Sequence, residues 1–510
     1  MSNSTAIISS NKDGSIKKRC HLIKRQKSYR KTRSSVAQST IHLNKILRSH
    51  KLTTNKNQNN YTEIVDDDDI DHVEINVDNE MNEKVNALPV LAAAFSTGYF
   101  IDINCKLLPE TMLDELAHKT YEFVQQQGIL SRSLVLHTLD DPFLSRYVNR
   151  VYVGDFENNH KPVNLRDGLD MNIVLYKVKY ERPHQHNITI EGEHINIGRR
   201  WSLPHDEFEC LWESLEYDLP IKSQLIQYVF TVVRFSKAKI DRRIIHCNQT
   251  ILLYGPPGCG KTSLCKGLAQ KVSIRMKELF KKFYFYEMNA GNLFSKWFSE
   301  SSRNVSRFFD DVQLQCMDKN SFVIVLIDEV ESLSAARSAA LASNEPSDML
   351  RVVNTLLTHL DRLKEFSNVL VVTTSNLIEA IDLAVLDRSD ISQYIGPPST
   401  RGIYNVFKAC FIEMMEKYVI KPIIYIPEIY DNDISDRLSQ QLKEKLIYLA
   451  RESNGLSGRT LRKLPMLAFA HSLTMPVPVD QLIQAMKQCI EQKKETDNYV
   501  GEMSYNNNCR

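Results

Sequence analysis

Residues 255–263, Gly255-Pro256-Pro257-Gly258-Cys259-Gly260-Lys261-Thr262-Ser263, place glycines, a lysine and hydroxyls in the order G-x-x-x-x-G-K-[ST]. Glycine lets successive backbone N–H groups turn inward around an anion, and a helix starting at the loop's end adds the positive end of its dipole. Lys261 brings a mobile positive charge suited to the β- and γ-phosphates of a nucleoside triphosphate, and Thr262 a hydroxyl suited to Mg²⁺. ATP and Mg²⁺ are therefore the expected ligands. Such a loop needs an acidic partner at the end of a neighbouring strand. The apolar run 322–327 ends in Asp328-Glu329, with Asp328 placed to hold Mg²⁺ through water and Glu329 to orient or deprotonate an attacking water. A third polar group, Thr373-Thr374-Ser375-Asn376, ends the run that starts at Val369. By itself such a cluster makes a turn or a helix cap; in this series of strands Asn376 is suited to hydrogen-bond the γ-phosphate or the lytic water.

Short apolar runs at 250–254, 283–288, 322–327 and 369–373 alternate with helical patterns, one of them at 222–235 and another at 263–271. This texture predicts an α/β fold with a parallel sheet covered on both faces, its carboxylates at the C-terminal edge of the strands beside the phosphate loop. After Pro397-Pro398 the pattern is mostly helical to about Lys494, which predicts a separate helical lid. Upstream, 109–127 has helical spacing (Leu113, Leu116, Tyr121, Val124), while 151–153 and 173–178 read as strands, together a small α+β domain. The expected organisation is a tail over 1–86, an N-terminal domain over 87–200, the large domain over 201–400, the lid over 401–494 and a flexible tail over 495–510.

The 510 residues are 43% hydrophobic and 25% charged with a net charge of +2, so most of the chain can bury a core and the whole shows no nucleic-acid bias. No run approaches the roughly 20 apolar residues that span a bilayer, and the N-terminus lacks the apolar core of a secretory signal. None of the ten cysteines forms a C-x-x-C pair, which fits reduced thiols in a cytosolic or nuclear protein. Residues 1–60 carry fourteen Lys/Arg against one acidic residue, Asp13, and 61–83 reverse the sign around Asp66-Asp67-Asp68-Asp69. Neither stretch has the apolar content to offset chain entropy, so both are expected to be disordered. Lys17-Lys18-Arg19 and Lys24-Arg25 suit nuclear import, nucleic-acid contact or simple solvation.

The Gly255 loop, Ile327-Asp328-Glu329-Val330-Glu331-Ser332-Leu333 and Thr374-Ser375-Asn376 follow AAA+ order and spacing. Segments 293–301 (LFSKWFSES), 345–348 (EPSD), 393–398 (QYIGPP) and 455–459 (GLSGR) further resemble the pachytene checkpoint protein 2 family, also called thyroid receptor-interacting protein 13. The resemblance is nearly continuous from about Leu203 to Lys494. It is weaker over 87–200, where 140–146 (DDPFLSR) matches best, and it does not extend before 87.

The resemblance implies an AAA+ phosphate-loop sheet domain with a C-terminal helical lid, in a homohexameric ATPase that opens HORMA-domain proteins through a central pore. A HORMA-type adaptor would bind the N-terminal domain, and the setting would be the nucleus (chromosomes, kinetochore) and cytoplasm. It further implies that Lys296, Trp297 and Phe298 form the pore loop, that Arg388 is the arginine finger acting on a neighbouring subunit's ATP, and that Asn376 and Arg459 are the two sensors. For Arg388 the bland expectation is a salt bridge to Asp387 or Asp390, and for Arg459 a helix cap. Cys259 stands where the family usually has Thr, leaving the backbone cradle intact while making the loop a candidate for oxidation. The principal rival is a nucleic-acid-stimulated AAA+ motor or loader gripping with the basic tail, although the core has no basic patch. A scaffold that holds ATP without hydrolysis is disfavoured by the presence of Glu329 and Arg388, and a membrane-fusion or microtubule type by Arg459.

Overall fold

A strand covered on both faces must be apolar at every position, and residues 322–327 are all fully buried. Their side chains alternate between two cores: Phe322, Ile324 and Leu326 enter one, and Val323, Val325 and Ile327 the other. At about 1.5–3 kcal/mol for each large apolar side chain buried, this segment anchors the sheet whose edge carries Asp328. The structure is a computed structural model, and it describes residues 99–508 apart from 107–109, 131–132, 137–138, 155–162, 168–170, 191–192, 218–219, 292–297, 335–346, 378, 380, 430–435 and 472–474.

The large sheet comprises β5 (His184–Ile190), β6 (Glu193–Leu203), β7 (Thr250–Tyr254), β8 (Lys282–Asn289), β9 (Ser321–Asp328), β10 (Val369–Ser375) and β11 (Ile391–Tyr394), in the order β11-β7-β10-β9-β8-β6-β5. The first five in that order run parallel. One face is covered by α3 (Ile221–Lys237) and α4 (Lys261–Arg275), the other by α5 (Phe298–Met317) and α6 (Ser347–Leu363). The short helix α7 (Leu383–Leu386) precedes β11.

β6 pairs antiparallel with β8, and β5 with β6. The expected domain boundary at 200/201 therefore cuts through β6, and the large sheet takes in residues from His184 onward. The reason is that the open edge of β8 is satisfied by a hairpin supplied from upstream in the chain.

Before it, β1 (Tyr99–Cys105), β2 (Leu134–Leu136), β3 (Val148–Gly154) and β4 (Met171–Tyr176) form a second sheet in the order β2-β3-β1-β4. It packs with α1 (Leu113–Gln126) and α2 (Pro142–Tyr147) around their own core. The lid consists of α8 (Thr400–Glu416), α9 (Arg437–Glu452), α10 (Gly458–Phe469) and α11 (Val479–Asn508), with a separate core. α11 continues through most of 495–510, where a flexible tail is expected; no proline interrupts it, and it runs through Gly501 to Asn508. The expectations for residues 1–98 lie outside the described residues.

The helix that starts at the phosphate loop is tied to the small sheet by buried charges. Lys271 Nζ donates to Asp102 Oδ2 at 2.8 Å and lies 2.6 Å from Glu213 Oε1, while Arg275 Nη2 is 3.6 Å from Asp102 Oδ2. Lys271 also sits over the Tyr152 ring and Arg275 over Phe100. Burial raises the Asp102 carboxyl, but Lys271 and Arg275 outweigh it and hold the group below its ordinary 3.8. Removing one partner of a buried pair costs about 3–5 kcal/mol, because the remaining charge is stranded. Asp102→Asn should therefore destabilise the protein by about 3 kcal/mol at neutral pH. A depressed folded-state pKa stabilises fully above the ordinary carboxyl value and loses that contribution as pH falls through the lower folded value. The gap between wild type and variant should thus close in acid. Urea titrations followed by fluorescence of buried Trp201 and Trp212 at both pH values check this, and equal stability at neutral pH would contradict it.

Candidate active site

The phosphate loop is shaped by glycines that no other residue can replace. Gly255 has φ +146°, and a Cβ there would come 2.0 Å from the Ile395 carbonyl oxygen; Gly258 has φ +79°, and a Cβ there would come 2.8 Å from Ser457 Oγ. A side chain at 255 would thus collide with the turn after β11, and one at 258 with the lid. Gly260 is the left-handed N-cap of α4, whose first residues are Lys261, Thr262 and Ser263. Lys261 Nζ donates to the carbonyls of Gly255 (2.7 Å) and Pro256 (2.9 Å) and to Asn376 Oδ1 (2.9 Å). Burial lowers the ammonium's pKa, opposed by Cys259, Glu331 and Asp328.

The two strand-end groups lie beside this loop. Thr262 Oγ1 donates to Asp328, 3.1 Å from Oδ1 and 3.0 Å from Oδ2, and Thr374 Oγ1 also donates to Asp328 Oδ1. Glu329 follows with φ +61°, a left-handed conformation that costs a bulky residue about 1–3 kcal/mol. Its backbone N–H donates to Thr374 Oγ1 at 3.3 Å, and its Oε2 accepts from Asn289 Nδ2 at 3.0 Å. Asn289, the last residue of β8, escaped the sequence reading. Its signal was a polar residue directly after an apolar strand next to the one that ends in the acidic pair.

Pro257, Gly258, Cys259, Gly260, Lys261, Thr262, Ser263, Asp328, Glu329, Asn376 and Arg459 line one cavity of about 430 Å³. Leu215 and Tyr217 from the segment before α3, and Arg462 from the lid, also line it. None of these three was anticipated, because nothing local marks them. Arg462 Nη2 donates to the Ser214 carbonyl at 2.5 Å, and Asn405 Nδ2 reaches Glu216 Oε2 at 3.4 Å, so the lid is fastened to that segment. Arg459 is the second residue of α10, and its backbone N–H donates to the Gly258 carbonyl at 3.2 Å. Ser457 caps that helix by accepting from the Thr460 backbone N–H at 3.2 Å, so Arg459's side chain is not the cap.

Cys259 is 8% exposed, and burial pushes its thiol up, only partly opposed by Lys261. A raised thiol disfavours the reactive thiolate, which argues against an oxidation-sensitive loop. Arg388 is not among the residues lining the cavity, and it pairs with neither Asp387 nor Asp390. Its Nε donates to Asp361 Oδ1 at 3.0 Å, its Nη2 to Asp361 Oδ2 at 2.7 Å, and its Nη1 to the Ala384 carbonyl at 2.9 Å. Asp390 instead accepts from Tyr228 Oη, Asn248 and Gln249, which stitches β11 to the start of β7. Lys296 and Trp297 lie outside the described residues, and Phe298 is described only as the first backbone position of α5.

A parallel sheet in this order, a phosphate loop facing an Asp-Glu strand end, and a helical lid closing on the loop define an AAA+ ATPase, a nucleotide-binding and ATP-hydrolysing enzyme. Residues 251–397 match the ATPase family associated with various cellular activities (AAA), and residues 399–494 match the TRIP13-like, AAA+ ATPase lid C-terminal domain. The Pachytene checkpoint protein 2 homolog of Mus musculus is 39% identical over 440 residues, covering 83% of this chain and 100% of the relative. That of Homo sapiens is 37% identical over 431 residues, covering 82% and 98%. The solved structure of C. elegans PCH-2 is 30% identical, with a TM-score of 0.66, covering 78% of this chain and 99% of that one. The chain belongs to the pachytene checkpoint protein 2 family.

Proposed function

We propose that this ATPase assembles as a homohexamer and uses ATP with Mg²⁺ to open HORMA-domain proteins, drawing a client segment into a central pore. Family membership supports the client class, and the observation that carries the ring is the separation of Arg388 from the cavity formed by its own subunit. An arginine outside its own subunit's cavity can serve a neighbour's phosphates by exchanging its bonds to Asp361 for theirs. Thr262 and Asp328 offer a hydroxyl and a carboxylate side by side in the cavity, a hard oxygen set that fits Mg²⁺ completed by phosphate and water. Bound there, the ion would offset the charge of the β- and γ-phosphates. The small α+β domain would receive the client with a HORMA-type adaptor, in the nucleus (chromosomes, kinetochore) and the cytoplasm.

Hydrolysis and pulling are separable in this reading. Trp297→Ala should keep ATPase activity within about threefold and lose client remodelling, as expected of a residue that grips the client rather than the nucleotide. A conformational assay of a HORMA substrate alongside phosphate release checks it, and retained remodelling removes Trp297 from the pore. A pull-down with the Glu329→Gln variant under ATP tests the whole proposal: capture of a HORMA-domain protein supports it, and its absence counts against the client class.

A further inference from the structure

We infer that Glu331 is a positioning residue for ATP hydrolysis, acting through the carboxamide of Asn376; this rests on the reading that Asn376 hydrogen-bonds the γ-phosphate or the lytic water. Glu331 Oε1 accepts from Asn376 Nδ2 at 2.9 Å and from the Asn376 backbone N–H at 3.2 Å. Asn376 Oδ1 in turn accepts from Lys261 Nζ at 2.9 Å. The three groups form a line from the acidic turn to the phosphate loop, and only Asn376 and Lys261 line the nucleotide cavity. Glu331 therefore touches no bound nucleotide directly.

An amide side chain has two nearly isosteric orientations, and its neighbours decide which one is populated. Here a carboxylate on one side and an ammonium on the other both require the nitrogen to face Glu331 and the oxygen to face Lys261. When phosphates arrive, they compete for Lys261, whose donors otherwise go to two carbonyls and Asn376. Glu331 then remains to hold the amide. It takes one of the two Nδ2 hydrogens, leaving the other for the phosphate or water. The backbone bond fixes the end of β10 as well, so the amide is held at two points. Glu331 Oε2 is shielded from solvent and accepts no hydrogen bond among the described residues.

The test is steady-state ATP hydrolysis by the full chain. Glu331→Ala should lower kcat by about tenfold or more, the scale on which an outer partner orients an inner one, with KM for ATP within about twofold. Glu331→Gln, whose amide oxygen can accept the same two bonds, should retain kcat within about threefold. Adding Glu331→Ala to Asn376→Ala should change kcat by less than about twofold, since the two act as one unit. Wild-type kcat in Glu331→Ala, a glutamine variant as slow as the alanine one, or additive losses in the double variant would each overturn the inference. Should the alanine variant fail to fold, Glu331→Asp withdraws the carboxylate by about 1.5 Å; a lower kcat at unchanged KM supports the role, and wild-type kcat refutes it. If Asn376→Ala itself matches wild type, the role of Asn376 fails first; if it is slow while Glu331→Ala is not, only the present inference fails.

Discussion

Glu329→Gln should bind ATP as tightly as the wild type and hydrolyse it about 10²–10⁴-fold more slowly, the usual contribution of a positioned general base. Glutamine matches the size of the native side chain, and its amide oxygen can still accept from Asn289 Nδ2, the partner of Glu329 Oε2. The groups that meet the phosphates, Lys261 and the loop backbone, are unchanged, so the ground state is unaffected. What is lost is the capacity to take a proton from water. The rate loss corresponds to about 2.7–5.5 kcal/mol of transition-state stabilisation. Phosphate release together with equilibrium binding of a fluorescent ATP analogue separates the two effects. Turnover within tenfold of wild type would remove Glu329 from the base role, and lost binding would show that its part is structural.

Arg388→Ala should slow hydrolysis by about 10³–10⁵-fold in the assembled protein, the range for a supplied arginine that meets transition-state charge. The side chain is held by Asp361, and that hydrogen bond is the first cause of the depressed Asp361 carboxyl. Side-chain exposures of 25% for Arg388 and 46% for Asp361 leave the pair partly screened by solvent. Serving a neighbour's phosphate therefore means trading two charge-assisted bonds to Asp361 for two to the phosphate. The decisive measurement mixes two inactive proteins. Arg388→Ala subunits keep Glu329 and Glu329→Gln subunits keep Arg388, so co-assembly rebuilds complete sites wherever the right faces meet. Activity recovered on mixing places the finger in trans. Activity that stays absent, or an Arg388→Ala protein with normal turnover, excludes that role.

The site was legible in the sequence where function depends on neighbours along the chain. The phosphate loop needs its glycines, lysine and threonine in consecutive positions, and Asp328-Glu329 needs an apolar strand just before it. Both requirements are written locally, and the described structure brings Lys261, Thr262, Asp328, Glu329, Asn376 and Arg459 to one cavity. Asn289, Glu331, Leu215, Tyr217 and Arg462 take their meaning from partners elsewhere. The Asn289–Glu329 contact spans 40 residues, and that between Lys271 and Asp102 spans 169. The hairpin β5–β6 was missed for the same reason. Its composition, with His184, His186, Arg199 and Arg200, lacks the apolar run that marks the parallel strands, because it extends an existing sheet at the edge.

By itself, the order of residues determined that a triphosphate is gripped, which backbone turns around it, and that a two-faced parallel sheet with a helical lid carries it. These follow from short-range rules of glycine freedom, strand periodicity and helix termination. Folding alone decided that Glu331 holds Asn376, that Asp361 rather than Asp387 or Asp390 takes Arg388, and that the phosphate-loop helix is charge-locked to the small sheet. Each of those pairings depends on which surfaces meet when distant segments pack, and burial then selects the few polar contacts that leave the fewest charges unanswered.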